Sequence, residues 1–403
     1  MSLGGLIAAL ILLAASSTWR PLARVRQALG FAHLTSTGHI FLLLGYLLGW
    51  IAIQAESAPI FEHLTPIVSF MAGWVGFAVG IRFDLRVLRR VPGAAFVTAL
   101  TPAFVVLAGV GGVAWLLLDR FVPPRMALAG ALVVGVAAAT TGPSLAGALR
   151  RRRGGRAPKL RARLRLMEFS AGLDDMLVAV VALFAFALYP SAPTTGAEAT
   201  LSLAIALGGG AGLGGVTWLF LGGEANDDER LLLGIGMIAF ASGLAAWLDL
   251  APAALGALAG ATLVNLPGSR RELFLNAVQK VERPALVILM TLVGFQIAPA
   301  RGALIPALIA LMTVLRGGLK HSAALISTRP LPPRSGLEAS PGWTLGLLSQ
   351  GALGIVVALS FHHVWGSEAS LALLAAVAGA SLFNEIIAPT YMLKALRERG
   401  GAR

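Results

Sequence analysis

Thirteen apolar runs divide this 403-residue chain, each close to the roughly 20 residues that a helix needs to cross a hydrocarbon core of about 30 Å. They fall near 2–18, 31–53, 64–81, 93–118, 126–149, 166–189, 200–221, 231–248, 251–266, 284–298, 303–327, 342–361 and 369–393. Inside a bilayer no water satisfies a backbone N–H or C=O, so such runs must close their own hydrogen bonds as helices. The expected fold is therefore all-α and polytopic, with about 13 transmembrane helices. Composition agrees, because 57% hydrophobic and 13% charged residues with a mean hydropathy of +0.80 exclude an ordinary soluble domain. The absence of cysteine excludes disulfides and thiolate metal centres. The first run lacks the basic stretch that precedes the apolar part of a cleavable signal peptide, and it is read as a helix.

The net charge of +13 is distributed in short loops rather than on a folded domain, so it reads as topology and not as a nucleic-acid surface. All but five of the 32 basic residues lie at one set of helix ends, including nine between Arg150 and Arg165. The opposite ends hold Arg120, Arg125 and Arg301, while Arg316 and Lys320 fall inside a run. The positive-inside rule then puts the N-terminus outside and the C-terminus in the cytoplasm. The acidic residues Glu224, Asp227, Asp228 and Glu229 do not oppose this, since acids contribute little to the rule.

Asp174 and Asp175 are adjacent in a stretch otherwise suited to lipid. A carboxylate near the bilayer centre costs at least about 2.5 kcal/mol on insertion scales, which marks the pair as functional unless it is simply solvated near a helix end. Lys320 and Arg316 lie one turn apart on one face of the eleventh run. Buried charges must pair or neutralise, so Lys320 is expected to meet the acid pair and Arg316 to meet Glu385. The other reading of Lys320 is a stem that reaches to the headgroups.

The chain also repeats itself. Pro66 is followed by Gly76 and Phe77, and Pro284 by Gly294 and Phe295 at the same spacing. Leu173-Asp174-Asp175 has a parallel in Phe383-Asn384-Glu385, and Thr141-Gly142 and Gln350-Gly351 precede the two acidic motifs by nearly equal intervals. These correspondences pair runs seven apart, which cross the membrane in opposite senses. The predicted organisation is a single membrane domain, 1–403, with inverted repeats over 31–189 and 251–393 joined by a Gly-rich helix over 200–221. Transporters of this kind place an ion site where helices break at the midplane. Thr140, Thr141, Gly142 and Pro143 are the expected break in the fifth run, and Ser349, Gln350 and Gly351 that in the twelfth. Packing by small residues is the competing reading of both.

Taken together, these residues resemble the monovalent cation:proton antiporters, in particular the bacterial sodium/proton type of the second cation:proton antiporter family. Phe83-Asp84-Leu85 after Gly76 is similar to a family helix end, Thr140-Thr141 to its helix break, Asp174-Asp175 to its ion-binding pair and Lys320, 26 residues after Gly294, to its buried lysine. Leu348-Ser349-Gln350-Gly351 is similar to potassium-efflux members, but Ala352-Leu353-Gly354 departs from their Gly-Glu-Phe, so their substrate is not carried over. The resemblance implies a secondary transporter that exchanges Na+, or K+ or Li+, for protons by alternating access, without a cofactor and without enzymatic chemistry. Asp175 would bind cation or proton, Asp174 would pair with Lys320, and Thr140 and Thr141 would supply hard oxygen ligands. Desolvation and the lysine's charge act oppositely on the protonation of such a carboxylate, which lets proton and cation compete. The two-acid-plus-lysine pattern resembles electrogenic members. The family also implies a homodimer held by helices one to three and eight to ten, with helices four to six and eleven to thirteen moving.

A sodium-coupled organic-solute symporter of similar architecture is the alternative, separable by the proton dependence of transport. An intramembrane aspartyl protease fits poorly, because adjacent acids on one helix diverge by about 100°. His39 and His321 are candidate proton relays, and His362 and His363 candidate sensors of external pH.

Overall fold

The structure, a computed structural model, describes residues 34, 37–54, 60–142, 158–189, 195–220, 227–267, 271–328, 344 and 346–398. The described residues are helical throughout, with short turns between. The elements are α1 (His39–Gln54), α2 (Ile60–Ile81), α3 (Leu85–Leu88), α4 (Gly93–Leu118), α5 (Pro124–Ala139), α6 (Pro158–Leu188), α7 (Gly196–Phe220), α8 (Asp227–Trp247), α9 (Pro252–Asn265), α10 (Arg271–Ile297), α11 (Leu304–Ser327), α12 (Ala352–Trp365) and α13 (Glu368–Glu398). Six of these segments are long and apolar enough to span a bilayer, and six shorter apolar helices accompany them. The first expected run, 2–18, lies outside the described residues.

Several helices depart from the lengths that hydropathy predicts. Helix α10 begins at Arg271 rather than near 284 and α6 at Pro158 rather than 166, because a helix closes its backbone bonds in water as well as in lipid. Helix α5 stops at Ala139, ten residues before its apolar run ends, and α12 begins only at Ala352.

The chain divides into two compact units. The first comprises residues 1–89, 179–301 and 359–374, and so contains α1–α3 and α7–α10. Two helix pairs in it pack without side chains between them. A Cβ on Gly76 of α2 would fall on the Ala253 carbonyl oxygen of α9, and one on Gly294 of α10 would fall on the Leu42 carbonyl oxygen of α1. Such backbone approach is how transmembrane helices gain contact when apolar burial gives no preference over lipid. Trp74, Phe77, Ile81, Ile238 and Leu263 fill the space beside the α2–α9 pair. Gly76→Ala and Gly294→Ala are each expected to cost of the order of 3 kcal/mol by overpacking. Thermal unfolding in detergent checks this, with Gly112→Ala, where a Cβ meets nothing within 4 Å, as the neutral control.

The Phe83-Asp84-Leu85 motif closes the end of α2. Asp84 caps α3 by accepting from the Arg86 N–H at 2.9 Å. Asn265 at the end of α9 accepts from Leu85 N–H at 2.8 Å and donates to the Phe83 carbonyl at 2.7 Å. The Arg86 guanidinium, ion-paired to Asp84, donates to the Val264 carbonyl. The motif therefore ties two helix ends together.

The second unit comprises residues 90–178, 302–358 and 375–403, and holds α4, α5, most of α6, α11, the start of α12 and most of α13. Thr98 of α4 and Ser327 of α11 exchange hydrogen bonds, hydroxyl to carbonyl, at 3.1 and 3.3 Å. Helix α11 carries a π-helical turn, Leu311–Leu315, immediately before Arg316. Such a turn accommodates one extra residue and rotates the remainder of the helix by about 100°. On that remainder, Arg316 and Lys320 are both fully buried on one face.

Candidate functional site: two broken helices held by buried cations

When α5 ends at Ala139, its last carbonyls lose their helical partners in a dry interior, where an unmet carbonyl costs about 1–3 kcal/mol. Thr140 turns extended, with φ −57° and ψ 146°. The oxygens of Ala137, Ala138, Ala139 and Thr140 are each met by a side chain. Ala137 O accepts from the Thr140 hydroxyl and from Gln350 Nε2, both at 2.8 Å. Ala138 O accepts from Arg316 Nε at 2.7 Å, and Ala139 O from Lys320 Nζ at 2.5 Å. Thr140 O accepts from Arg316 Nη2 at 2.9 Å and Lys320 Nζ at 3.2 Å. Two cations at a helix C-terminus also complement its dipole.

The segment before α12 is non-helical from Ser349 to Gly351 and meets the first break. Gly142 N–H donates to Ser349 O at 2.9 Å. Arg316 reaches this segment too, donating to Leu348 O at 2.7 Å and more distantly to Ser349 O and Leu347 O. One guanidinium thus holds main chain from both breaks. Gly142, Gln350 and Gly351 lie at the crossing as expected, and Pro143 lies outside the described residues.

The carboxylates flank this crossing. Asp174 Oδ2 is ion-paired with Lys320 Nζ at 3.0 Å, with both side chains 1% exposed, and accepts a hydrogen bond from the Thr141 hydroxyl. Asp174 Oδ1 has no hydrogen-bond partner among the described residues. Asp175 is buried beside it. This burial argues against an acid pair solvated at a helix end and against a lysine reaching to headgroups. On the other flank Ser349 Oγ donates to Glu385 Oε1 at 2.7 Å, and Asn384 Nδ2 donates to Gln350 Oε1 at 2.9 Å.

Arg316 and Glu385, expected to pair, interact electrostatically. The hydrogen bonds of Arg316 go to carbonyls, and Glu385 accepts one from the Ser349 hydroxyl. A five-donor fork suits several carbonyl oxygens better than one carboxylate when two chain segments end beside it. Sequence reading also missed the Asn384–Gln350 bond. Its signal was present, because Gln350 and Asn384 stand 34 residues apart where Thr141 and Asp174 stand 33 apart.

The candidate histidines make hydrogen bonds of their own. His39 Nδ1 is 2.9 Å from Thr37 Oγ1 and His321 Nδ1 is 2.8 Å from Thr344 Oγ1. His362 Nδ1 is 3.0 Å from Ser370 Oγ, and His363 Nε2 is 3.3 Å from Gln296 Nε2. Among the described residues no group of three His, Cys, Asp or Glu is placed to hold a resident metal. Hard oxygen atoms are present at the crossing in Asp174, Asp175 and the main chain and hydroxyls of Thr140 and Thr141.

The profile of the transmembrane sodium/hydrogen exchangers matches residues 28–392. Among solved structures, the sodium proton antiporter MjNhaP1 from Methanocaldococcus jannaschii at pH 8 has a similar fold. Its TM-score is 0.65 at 15% identity, over 98% of this chain and 99% of that one. A second structure of that antiporter, from an electron-microscopy map, gives 0.58 at 16% identity over 100% and 97%. At such identities the likeness concerns the fold. No curated protein matches the chain in sequence.

Proposed function

Because the chain belongs to the sodium/hydrogen exchanger family, and so exchanges sodium ions for protons across a membrane, we propose that this exchange runs through Asp175 and the Asp174–Lys320 pair. The observation that carries the reading is the buried ion pair set against the carbonyl end of a helix broken inside an apolar segment. In the proton-loaded state Asp175 carries the proton and Lys320 neutralises Asp174. An entering cation takes the place of that proton, gains Asp174 as a second carboxylate ligand and loosens the lysine's hold on it. Carbonyl and hydroxyl oxygens at Thr140 and Thr141 complete the coordination. Proton and cation therefore exclude each other at one site, and no continuous pore is needed.

Release of the lysine's proton along with that of Asp175 makes the exchange electrogenic. One net charge per cycle is worth about 2.3 kcal/mol per 100 mV, which lets the membrane potential drive cation expulsion. Sodium is the proposed main substrate. The site residues all belong to the second unit, which is the carrier in this scheme, while the first unit serves as scaffold and homodimer interface. Transport is the whole activity, with no chemical transformation and no cofactor, in a bacterial-type plasma membrane with the N-terminus outside.

The inverted repeat, 31–189 against 251–393, is part of the same proposal. Gly76 and Gly294, equivalent by the repeat, each admit a carbonyl of the neighbouring helix. Thr141–Asp174 and Gln350–Asn384, also equivalent, are both hydrogen-bonded pairs. The Gly-rich α7 links the two repeats.

Exchange in proteoliposomes, read with a pH-sensitive dye against Na+, K+ and Li+ and alongside current on a solid-supported membrane, tests the reading. Cation-dependent proton movement with net charge transfer is expected, and solute uptake without proton movement would overturn it. Thr141→Val is expected to weaken apparent Na+ affinity about tenfold, the equivalent of one hydrogen bond to a charged group, with maximal rate changed less. Unchanged affinity would return Thr141 to a packing role.

A further inference from the structure

Glu385 takes no part in the proposed exchange cycle, yet it is 1% exposed in the same interior. Its Oε1 accepts from Ser349 Oγ at 2.7 Å, and Ser349 O in turn accepts from Gly142 N–H at 2.9 Å. Gly142 is the neighbour of Thr141, whose hydroxyl bonds Asp174. A Cβ on Gly142 would lie 2.5 Å from Ser349 Oγ and 3.1 Å from Glu385 Oε1, so glycine leaves room for this hydrogen-bonded pair beside the break. Among the described residues, Arg316 and Lys320 of α11 and Asp174 and Asp175 of α6 are charged side chains of the same crossing, while α5 and α12 bring main chain, hydroxyl and amide groups there. Arg316 interacts electrostatically with both Asp174 and Glu385.

The charge of this carboxyl has a consequence. An ionised Glu385 adds one negative charge to the interior that receives the cation, and a proton on Glu385 removes it. In a low-dielectric interior that difference acts over several ångströms. We infer that Glu385 is a second proton-binding site, on the far flank of the crossed breaks, whose proton competes with the transported cation without sharing its ligands.

The inference rests on the proposed role of Asp175 as the transported-ion site. Its linkage has a definite sign. Cation binding is tightest at alkaline pH, where Glu385 is ionised, and falls as pH drops and the carboxyl takes its proton. A purely structural acceptor would be served equally well by an amide, since Gln keeps an oxygen toward Ser349 and adds no charge.

The test is apparent Na+ affinity against pH for wild type, Glu385→Gln and Glu385→Asp in proteoliposomes. The wild-type dependence should be steeper than that of Glu385→Gln by up to one proton per cation. The two should converge at acid pH and differ on the order of tenfold at alkaline pH. Glu385→Asp should keep the steep dependence. Parallel curves for wild type and Glu385→Gln would overturn the inference. Should Glu385→Gln fail to fold, infrared difference spectra of wild type and Glu385→Asp on adding Na+ decide. A carboxyl C=O band lost on Na+ addition and moved in Glu385→Asp supports the site, and the absence of any such band overturns it. If instead Asp175→Asn retains exchange, the reading of the transport site fails, whatever Glu385 does.

Discussion

Asp175→Asn protein is expected to insert and fold as wild type does, yet to exchange no sodium for protons. The amide is close in size to the carboxyl and keeps an oxygen acceptor, so packing in the buried interior is preserved. It has no proton to exchange in the accessible pH range and no charge to balance a dehydrated cation. Both halves of the competition are lost together, which predicts loss of exchange rather than a shifted optimum. Dye-monitored exchange by purified, monodisperse mutant at near wild-type rate would remove Asp175 from the mechanism. Retained exchange with altered cation preference would hand its role to Asp174.

The second large effect is expected at Lys320. Lys320→Gln leaves Asp174 buried without its counter-charge and takes one donor from the carbonyls of Ala139 and Thr140. Breaking a buried pair from one side costs about 3–5 kcal/mol unless the remaining acid takes up a proton. The matching variant Asp174→Asn should also destabilise. The double mutant should be less unstable than the two losses added together, because the second substitution removes the group the first one stranded. Exchange can continue through Asp175, but the charge moved per exchanged cation should fall, as the lysine no longer gives up a proton in the cycle. Thermal unfolding of the three variants, with current measured against dye-monitored exchange, checks both statements. Additive losses with an unaltered charge ratio would make the ion pair irrelevant to transport.

Much of this was legible because lipid makes certain residues expensive. A lysine and two aspartates inside apolar runs could be matched in advance, since so few arrangements make buried charge tolerable. The break after Ala139 could be placed because Gly142 and Pro143 follow hydroxyl residues in a run otherwise fit to continue. Helix lengths were less legible, as α10 shows. Hydropathy reports where lipid is, and a helix that leaves lipid at Pro284 can run on through Arg283 to Arg271 without penalty. The hydrogen-bond acceptors of Arg316 were not legible at all. Its acceptors are main-chain oxygens of Ala138, Thr140 and Leu348, and a carbonyl looks the same whatever residue carries it. Nor does any residue pattern announce the π-helical turn at Leu311–Leu315.

The grip of Arg316 on main chain sets how this protein can change over time. A contact to a side chain binds two positions into a joint fate, so that neither drifts without the other. A contact to a carbonyl binds only one, because the oxygen survives almost any replacement at the residue that bears it. Leu347 and Leu348 are thus released from any requirement of chemical identity by the arginine they serve, and answer only to the volume available around them. The arginine itself has no such latitude, since no other side chain offers a planar fork of donors to two chain segments at once. The crossing can therefore be inherited through wide divergence of the residues that form it, so long as one position on α11 is kept.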